Sequence, residues 1–286
     1  MQNSKLQFKI QKFSPEDLKK LYIPPPDSHK GQNGKLLIVG GSHLFHGASL
    51  WALKVASRIV DMVFYASTRE NNELTQKLKS ELYDFIAVSR GDIESYIEES
   101  DCVLIGPGLP RKEGQEVGDD DTKELTETLL KKYPHKKWVI DGGSLQVIDP
   151  SIIPHTAIVT PHQGEFQKLF GQEATEQNVS AMAKKYGIVI LTKGQEDIVC
   201  LPFDSAQGET CVQVSGGNAG MTKGGTGDVL AGLVAALYCK NEAFLAAKAA
   251  SYINKKAGDE LSKHVGPYYN ASDLCDEIPR VMKKFL

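Results

Sequence analysis

Between Ser215 and Asp228 the chain reads Ser-Gly-Gly-Asn-Ala-Gly-Met-Thr-Lys-Gly-Gly-Thr-Gly-Asp, six glycines and then a carboxylate, followed by the apolar run Val229–Leu237. Glycines crowd where the backbone must turn left-handed or approach a ligand closely. Gly224, Gly225, Thr226 and Gly227 precede a predicted helix. Its electropositive N-terminus, together with N–H groups free of side-chain cover, suits a phosphate. Asp228 is placed where a general base could face that phosphate. The plainer alternative is a flexible loop capped by Asp228, since Asp is a favoured N-cap. The stretch contains neither G-x-x-x-x-G-K-[ST] nor G-x-G-x-x-G, so it is a different kind of anion loop.

These residues need a scaffold, and the chain supplies alternating elements. Lys35–Val39 is a continuous apolar run ending at Gly40 and reads as a buried strand. A helix opens at Gly47-Ala48-Ser49 and runs to about Ile59. Further strand-like runs are Met62–Ala66, Phe85–Ser89, Cys102–Gly106, Trp138–Asp141, Ala157–Thr160 and Ile188–Thr192. Thr122–Lys132 and Asn178–Tyr186 are helical, and Ala243–Leu261 and Asp273–Phe285 are helices that cover the sheet. Ile198–Leu201 and Thr210–Val214 form a hairpin around a polar turn at Asp204–Glu209. Ser14-Pro15-Glu16-Asp17 is a helix start with Ser14 as N-cap. The alternation predicts a mostly parallel sheet with helices on both faces.

In such sheets ligands bind beyond the carboxyl ends of the strands, and several polar or glycine turns fall there. They are Gly40-Gly41-Ser42 with Gly47-Ala48, Gly106-Pro107-Gly108, Asp141-Gly142-Gly143, Thr160-Pro161-His162-Gln163-Gly164-Glu165, and Lys193-Gly194. Together with the glycine stretch they outline a cleft. Taken singly, His162 is also readable as a turn histidine, Glu165 as a helix N-terminal acid and Lys193 as a solvated strand end. His43 and His46 lie three apart without a third ligand, which argues against a metal site there.

From Lys35 to Leu261 the chain resembles the ribokinase superfamily, and within it the NAD(P)H-hydrate dehydratases. The resemblance rests on Asn218–Gly232, Gly41-Ser42 with Gly47-Ala48, Gly106-Pro107-Gly108-Leu109, Thr160–Glu165 and Lys193-Gly194. It implies a ribokinase-like three-layer α/β/α sandwich forming one domain over residues 1–286. It further implies repair of hydrated NADH or NADPH at the expense of ADP or ATP. By the family's pattern Ala48, Gly108, His162 and Asp228 contact the hydrate. Lys193, Gly194, Gln195, Glu196 and Asp197, with Gly227, hold the adenine nucleotide. Glu165 matches the acid that supports Mg²⁺, often through water. The family also implies a homo-oligomer, a tetramer. The chain departs from the pattern at His46, where a tyrosine is expected, and at Gly143, where a second acid is expected. Val60-Asp61-Met62 replaces a glycine-rich turn, and Asn254 stands where histidine is common.

Two rivals remain open on sequence. One is a vitamin-precursor kinase of the same superfamily, acting on a hydroxymethylpyrimidine or hydroxyethylthiazole. The other is a non-catalytic nucleotide-binding subunit, against which the retention of Asp228 and Glu165 counts. With 286 residues and a net charge of −3, the chain lacks the basic balance of a nucleic-acid binder. Its apolar runs are too short for a membrane span. Lys5, Gln7, Lys9 and Gln11 alternate with apolar residues, unlike a signal peptide. Cys102, Cys200, Cys211, Cys239 and Cys275 are scattered and read as reduced thiols of a cytoplasmic protein.

Overall fold

The computed structural model describes residues 10–77, 83–202 and 211–285. Lys5, Gln7, Lys9 and the turn at 204–209 lie outside them. Among the described residues there are ten strands, all in one sheet. In chain order they are β1 (Gln11–Lys12), β2 (Lys35–Val39), β3 (Met62–Ala66), β4 (Ile86–Val88), β5 (Cys102–Ile105), β6 (Lys137–Ile140), β7 (Ala157–Val159), β8 (Val189–Thr192), β9 (Asp197–Cys200) and β10 (Cys211–Val214). Across the sheet they stand β1-β10-β9-β8-β7-β6-β5-β2-β3-β4. From β4 to β8 every pairing is parallel, and β9 is antiparallel to both β8 and β10.

The strands are buried on both faces, which explains their unbroken apolar runs. Leu36 and Ile38 of β2 enter one core, while Leu37 and Val39 enter the other. The first core packs under α1 (His46–Ala56), α8 (Thr226–Tyr238), α9 (Ala243–Val265) and α10 (Ala271–Lys283). The second packs under α3 (Ile93–Glu99), α4 (Thr122–Lys132), the short α5 (Gly142–Leu145), α6 (Gln163–Phe170) and α7 (Glu176–Tyr186). The result is three layers, α/β/α. The strand order reverses between β2 and β5, so the chain leaves these neighbours in opposite directions, and crevices open at such a reversal. Here the two strand ends meet closely: the Gly41 N–H donates to the Pro107 carbonyl at 2.8 Å. A Cβ on Gly108 would stand 2.5 Å from the Phe45 carbonyl oxygen.

Several expectations need correction. The segment after Ser14 is a single 3-10 helix, Pro15–Lys20, and the Ser14 side chain makes no capping bond. β1, α2 (Arg69–Lys77) and α3 had no counterpart in the sequence reading. Asp228 does not cap α8, because the helix begins at Thr226 with Gly225 as its cap, putting Asp228 inside the first turn. The cysteines are not all reduced either. Cys200 and Cys211 stand opposite each other in the antiparallel β9–β10 pair and form a disulfide, leaving Cys102, Cys239 and Cys275 as free, buried thiols. Protein denatured without reductant should therefore titrate three thiols, rising to five after reduction. Five without reductant would place the β9–β10 cysteines in the thiol state.

Candidate active site

Three parallel strands deliver side chains to one point. Asp141 directly follows β6, Thr160 and His162 follow β7, and Lys193 directly follows β8. Lys193 donates its backbone N–H to the Pro161 carbonyl at 2.9 Å, extending the β7–β8 pairing to His162 beside Lys193. The Lys193 ammonium meets Asp141 Oδ1 at 2.6 Å and Glu165 Oε2 at 3.9 Å. Thr160 Oγ1 donates to that same Asp141 oxygen at 2.8 Å. Asp141 and Glu165 are only 2% and 4% exposed, so these charges act in a poorly screened setting.

The titrations follow from that setting. Burial first, then the charges of Asp141 and Glu165, push the Asp228 carboxyl up to about 7 against the pull of Lys193. Burial and the charge of Asp141 likewise raise Glu165, with Lys193 opposing. Burial alone would lower Lys193, but the carboxylates of Asp141 and Glu165 outweigh it and hold the ammonium above its ordinary value.

His162 caps α6. Its Nδ1 accepts from the backbone N–H of Gly164 at 3.0 Å and of Glu165 at 3.2 Å. Glu165 Oε2 accepts the His162 N–H at 2.9 Å in return, which completes a capping box. With Nδ1 serving as acceptor, the ring's donor is Nε2, on a side chain that is 55% exposed. The turn reading and the site reading of this histidine therefore describe one arrangement.

Two cavities meet along this row. The smaller, about 370 Å³, is lined by Ala48, Gly108, His162, Glu165 and Asp228, with Asp141 and Arg111. The larger, about 590 Å³, is lined by Gly194, Gln195, Asp197, Gly216–Ala219, Thr226 and Asn254. Lys193 and Gly227 line both. Both volumes fall in the range of small-molecule sites. Among the described residues no protein acceptor takes the N–H groups of Gly224, Gly225 and Gly227, which leaves them for an anion. Lys223, beside them, is bound instead to the carbonyls of Pro267 and Tyr269. Thr226 spends its hydroxyl on the carbonyls of Met221 and Lys223.

The structure thus gathers all but two of the expected residues around the cavities. Glu196 turns to Ser215, at 3.0 Å, and to Gln213 on β10. Gly225 backs onto the Trp51 ring. Asp141 was placed in the cleft without a role, and Lys255 was missed. Asp141 had a signal, a carboxylate at a strand end before two glycines. Lys255 had none, because its partners lie about 60 residues away. His43 and His46 pair separately, His43 with Glu70 and Glu116 and His46 with Asn71.

A mostly parallel sheet between helical layers, with a glycine-rich loop leading into a helix that carries a half-buried carboxylate, defines a ribokinase-like protein. The NAD(P)H-hydrate dehydratase family model matches residues 36–280, and the chain belongs to that family. It is 37% identical to the bifunctional NAD(P)H-hydrate repair enzyme Nnr of Methanocaldococcus jannaschii, over 94% of this chain and 52% of the relative. It is 34% identical to the ADP-dependent (S)-NAD(P)H-hydrate dehydratase of Nitrosopumilus maritimus, over 94% of this chain and 96% of that protein. It thus spans about half of the first relative and nearly all of the second. The fold superposes on the ADP/ATP-dependent NAD(P)H-hydrate dehydratase of Bacillus subtilis co-crystallized with ATP/Mg²⁺. That match has a TM-score of 0.79 at 22% identity, covering 97% of this chain and 99% of that one. Among the described residues no helix is long and apolar enough to cross a membrane.

Two neighbouring glycines separate scaffold from site. Gly225 has φ +95°, and an added Cβ would lie 2.4 Å from the Trp51 ring, whereas one on Gly224 meets nothing within 4 Å. Gly225→Ala should cost about 2 kcal/mol or more from left-handed strain and overpacking. Thermal melting should show it as a drop of roughly 5 °C or more. Gly224→Ala should melt near the wild type yet bind nucleotide more weakly. Equal melting losses in both variants would refute the distinction.

Proposed function

We propose that this chain dehydrates the (S)-hydrate of NADH or NADPH, using ADP or ATP as co-substrate, and so regenerates the reduced nucleotide. The observation that carries the reading is Asp228. Its half-buried carboxyl is pushed up to about 7, and it stands in the smaller cavity beside Gly227, which the larger cavity shares. A base poised near neutrality is what removal of a hydroxyl proton needs.

In this reading the nicotinamide hydrate lies in the smaller cavity against Ala48 and Gly108, with His162 Nε2 as a donor to it. The adenine nucleotide lies in the larger cavity along Lys193–Asp197. Asp228 takes the proton from the ring hydroxyl as that oxygen attacks the terminal phosphorus, and AMP or ADP leaves. The amides of Gly224, Gly225 and Gly227 and the start of α8 stabilise the charge that develops on the phosphate. The ring nitrogen's electron pair then breaks the C–O bond and expels phosphate. Loss of a proton from the adjacent carbon restores the double bond.

The donor set bears on Mg²⁺. Among the described residues no group of three His, Cys, Asp or Glu side chains could hold a metal ion. Asp141, Glu165 and Asp228 nevertheless oppose a single lysine. Such an acidic but open set fits a cation carried in by the nucleotide phosphates and reached by Glu165 through water. Bound there, the ion would neutralise phosphate charge.

The direct test mixes the protein, Mg²⁺, hydrated NADH and either ADP or ATP, and follows recovery of reduced-nicotinamide absorbance. Asp228→Asn should lower turnover by about 100- to 10,000-fold while calorimetry still finds nucleotide binding. Its stability should not fall. A raised carboxyl pKa stabilises the fold only while the group is protonated, and that contribution is lost as pH rises through about 7. Near-normal turnover in the variant would remove Asp228 as the base.

The sign of the pH dependence follows as well. The working form is deprotonated, so kcat/KM should climb with pH and level off above about 7. A profile flat across that range would contradict the assignment. His162→Asn should keep the α6 cap, since Asn caps well, and lose only the ring donor. Its mark should be a raised KM for the hydrate at an unchanged Mg²⁺ requirement. A changed Mg²⁺ requirement would show that the histidine acts through Glu165.

A further inference from the structure

The smaller cavity is acidic where it is buried and open at its mouth. Asp141 and Glu165, almost fully buried, line it together with the half-buried Asp228. Phe45, 44% exposed, and the exposed Arg111 line it as well. Lysine and arginine enter this wall at two positions, Lys193 and Arg111. Lys193 is held by Asp141 at 2.6 Å. The Arg111 guanidinium has no carboxylate partner among the described residues, and in that it stands apart. The chain's other four arginines are all paired, Arg58 with Asp276, Arg69 with Glu73, Arg90 with Asp120 and Arg280 with Glu277. Its loop is rich in acids, but Glu116 and Asp119 turn to His43, Asp120 turns to Arg90, and Asp121 caps α4.

The backbone on either side of Arg111 is tied down. Leu109 donates its N–H to the Gly106 carbonyl at 3.0 Å, and Thr122 Oγ1 donates to the Pro110 carbonyl at 2.6 Å. Arg111 then starts the 3-10 turn Lys112–Gly114. A Cβ on Gly114 would stand 3.9 Å from the Phe45 ring, so this turn lies beside the other exposed residue of the cavity mouth. The hydrate has a charge requirement that these residues meet. A hydrated dinucleotide carries a negatively charged pyrophosphate, and its nicotinamide end must approach Asp228. The buried carboxylates repel that pyrophosphate wherever screening is incomplete. A guanidinium not spent on a protein acid supplies the opposite charge, with a planar fork that matches phosphate oxygens.

Resting on the reading that the hydrate occupies the smaller cavity, we propose that Arg111 binds the pyrophosphate of the hydrated dinucleotide. It is a substrate-binding residue and takes no part in the chemistry at the ring. The discriminating probe is hydrated dihydronicotinamide riboside, which keeps the reacting ring and its ribose and lacks any phosphate.

The experiment compares wild type, Arg111→Gln and Arg111→Lys on hydrated NADH, hydrated NADPH and the hydrated riboside, following recovery of reduced-nicotinamide absorbance. Arg111→Gln should raise KM for hydrated NADH about tenfold, the low end for a charge-assisted pair because the guanidinium is exposed. The kcat and the KM for the ADP or ATP co-substrate should keep their wild-type values, as for a group that binds ground and transition states alike. Hydrated NADPH should lose by the same factor, and kcat/KM for the riboside should not change. Arg111→Lys keeps the charge without the fork and should fall in between. Both variants should melt with the wild type, since an exposed, unpaired side chain is replaced. An unchanged KM for hydrated NADH overturns the proposal. So does a loss confined to hydrated NADPH, which would assign Arg111 to the 2′-phosphate, or a raised KM for the co-substrate, which would assign it to the other ligand. An equal loss on the riboside also overturns it, by assigning Arg111 to the sugar or the ring. If wild type restores none of the three hydrates, the reading of the cavity falls first and takes this inference with it. If wild type restores hydrated NADH and not the riboside, binding depends on the phosphates, and the KM of Arg111→Gln decides whether Arg111 carries it.

Discussion

The ion pair between Lys193 and Asp141 is the contact on which the site depends. It spans from the end of β8 to the end of β6, across β7, whose Thr160 hydroxyl binds the same Asp141 oxygen. Fixing these three strand ends fixes the origins of His162, Glu165 and the Lys193–Asp197 turn. The pair also leaves a charge problem. Asp141, Glu165 and Asp228 supply three carboxyl groups to one ammonium in a buried setting. The surplus negative charge can be removed by a proton or by a cation. Asp228, whose carboxyl is pushed up to about 7, takes up part of it as a proton near neutrality. The raised titration of Asp228 therefore comes from burial and from too little positive charge around its neighbouring carboxylates.

The sheet was legible in the sequence for a physical reason. Strands buried on both faces must be apolar without a break, and the glycines and prolines at their ends mark where backbone leaves the ladder. The row of strand ends, and with it most of the site, could be read from that punctuation. The segments that escaped reading lack such signals. α2 buries only Asn71 and Thr75 and so carries no apolar stripe, α3 shows a single pair at Ile93 and Ile97, and β1 is two residues long. Distance in sequence hid the rest. Asp141 acquires its meaning from Lys193, 52 residues later. Cys200 meets Cys211 only through the register of an antiparallel pair, which no cysteine spacing encodes. The alternative of Asp228 as a cap fails because Gly225, with its left-handed backbone over Trp51, starts the helix earlier than side-chain preference suggests.

α9 shows how irregular cavity walls are held without a ladder of their own. Most of its inward face is alanine, but Lys248, Ser251, Asn254 and Lys255 are also buried and follow helical spacing as a polar stripe. Ser251 and Lys255 are spent on the loops. The glycine turns at 194–195 and 216 leave carbonyls outside any strand pairing, and buried carbonyls need donors. One ammonium satisfies three of them, and Asp197, itself held by Ser251 and the Gly194 N–H, balances its charge. An apolar residue of similar length in place of Lys255 would leave those three acceptors and a carboxylate buried without it, so a charged residue is the lower-energy occupant here despite its desolvation. Both walls of the larger cavity consequently hang on one helix.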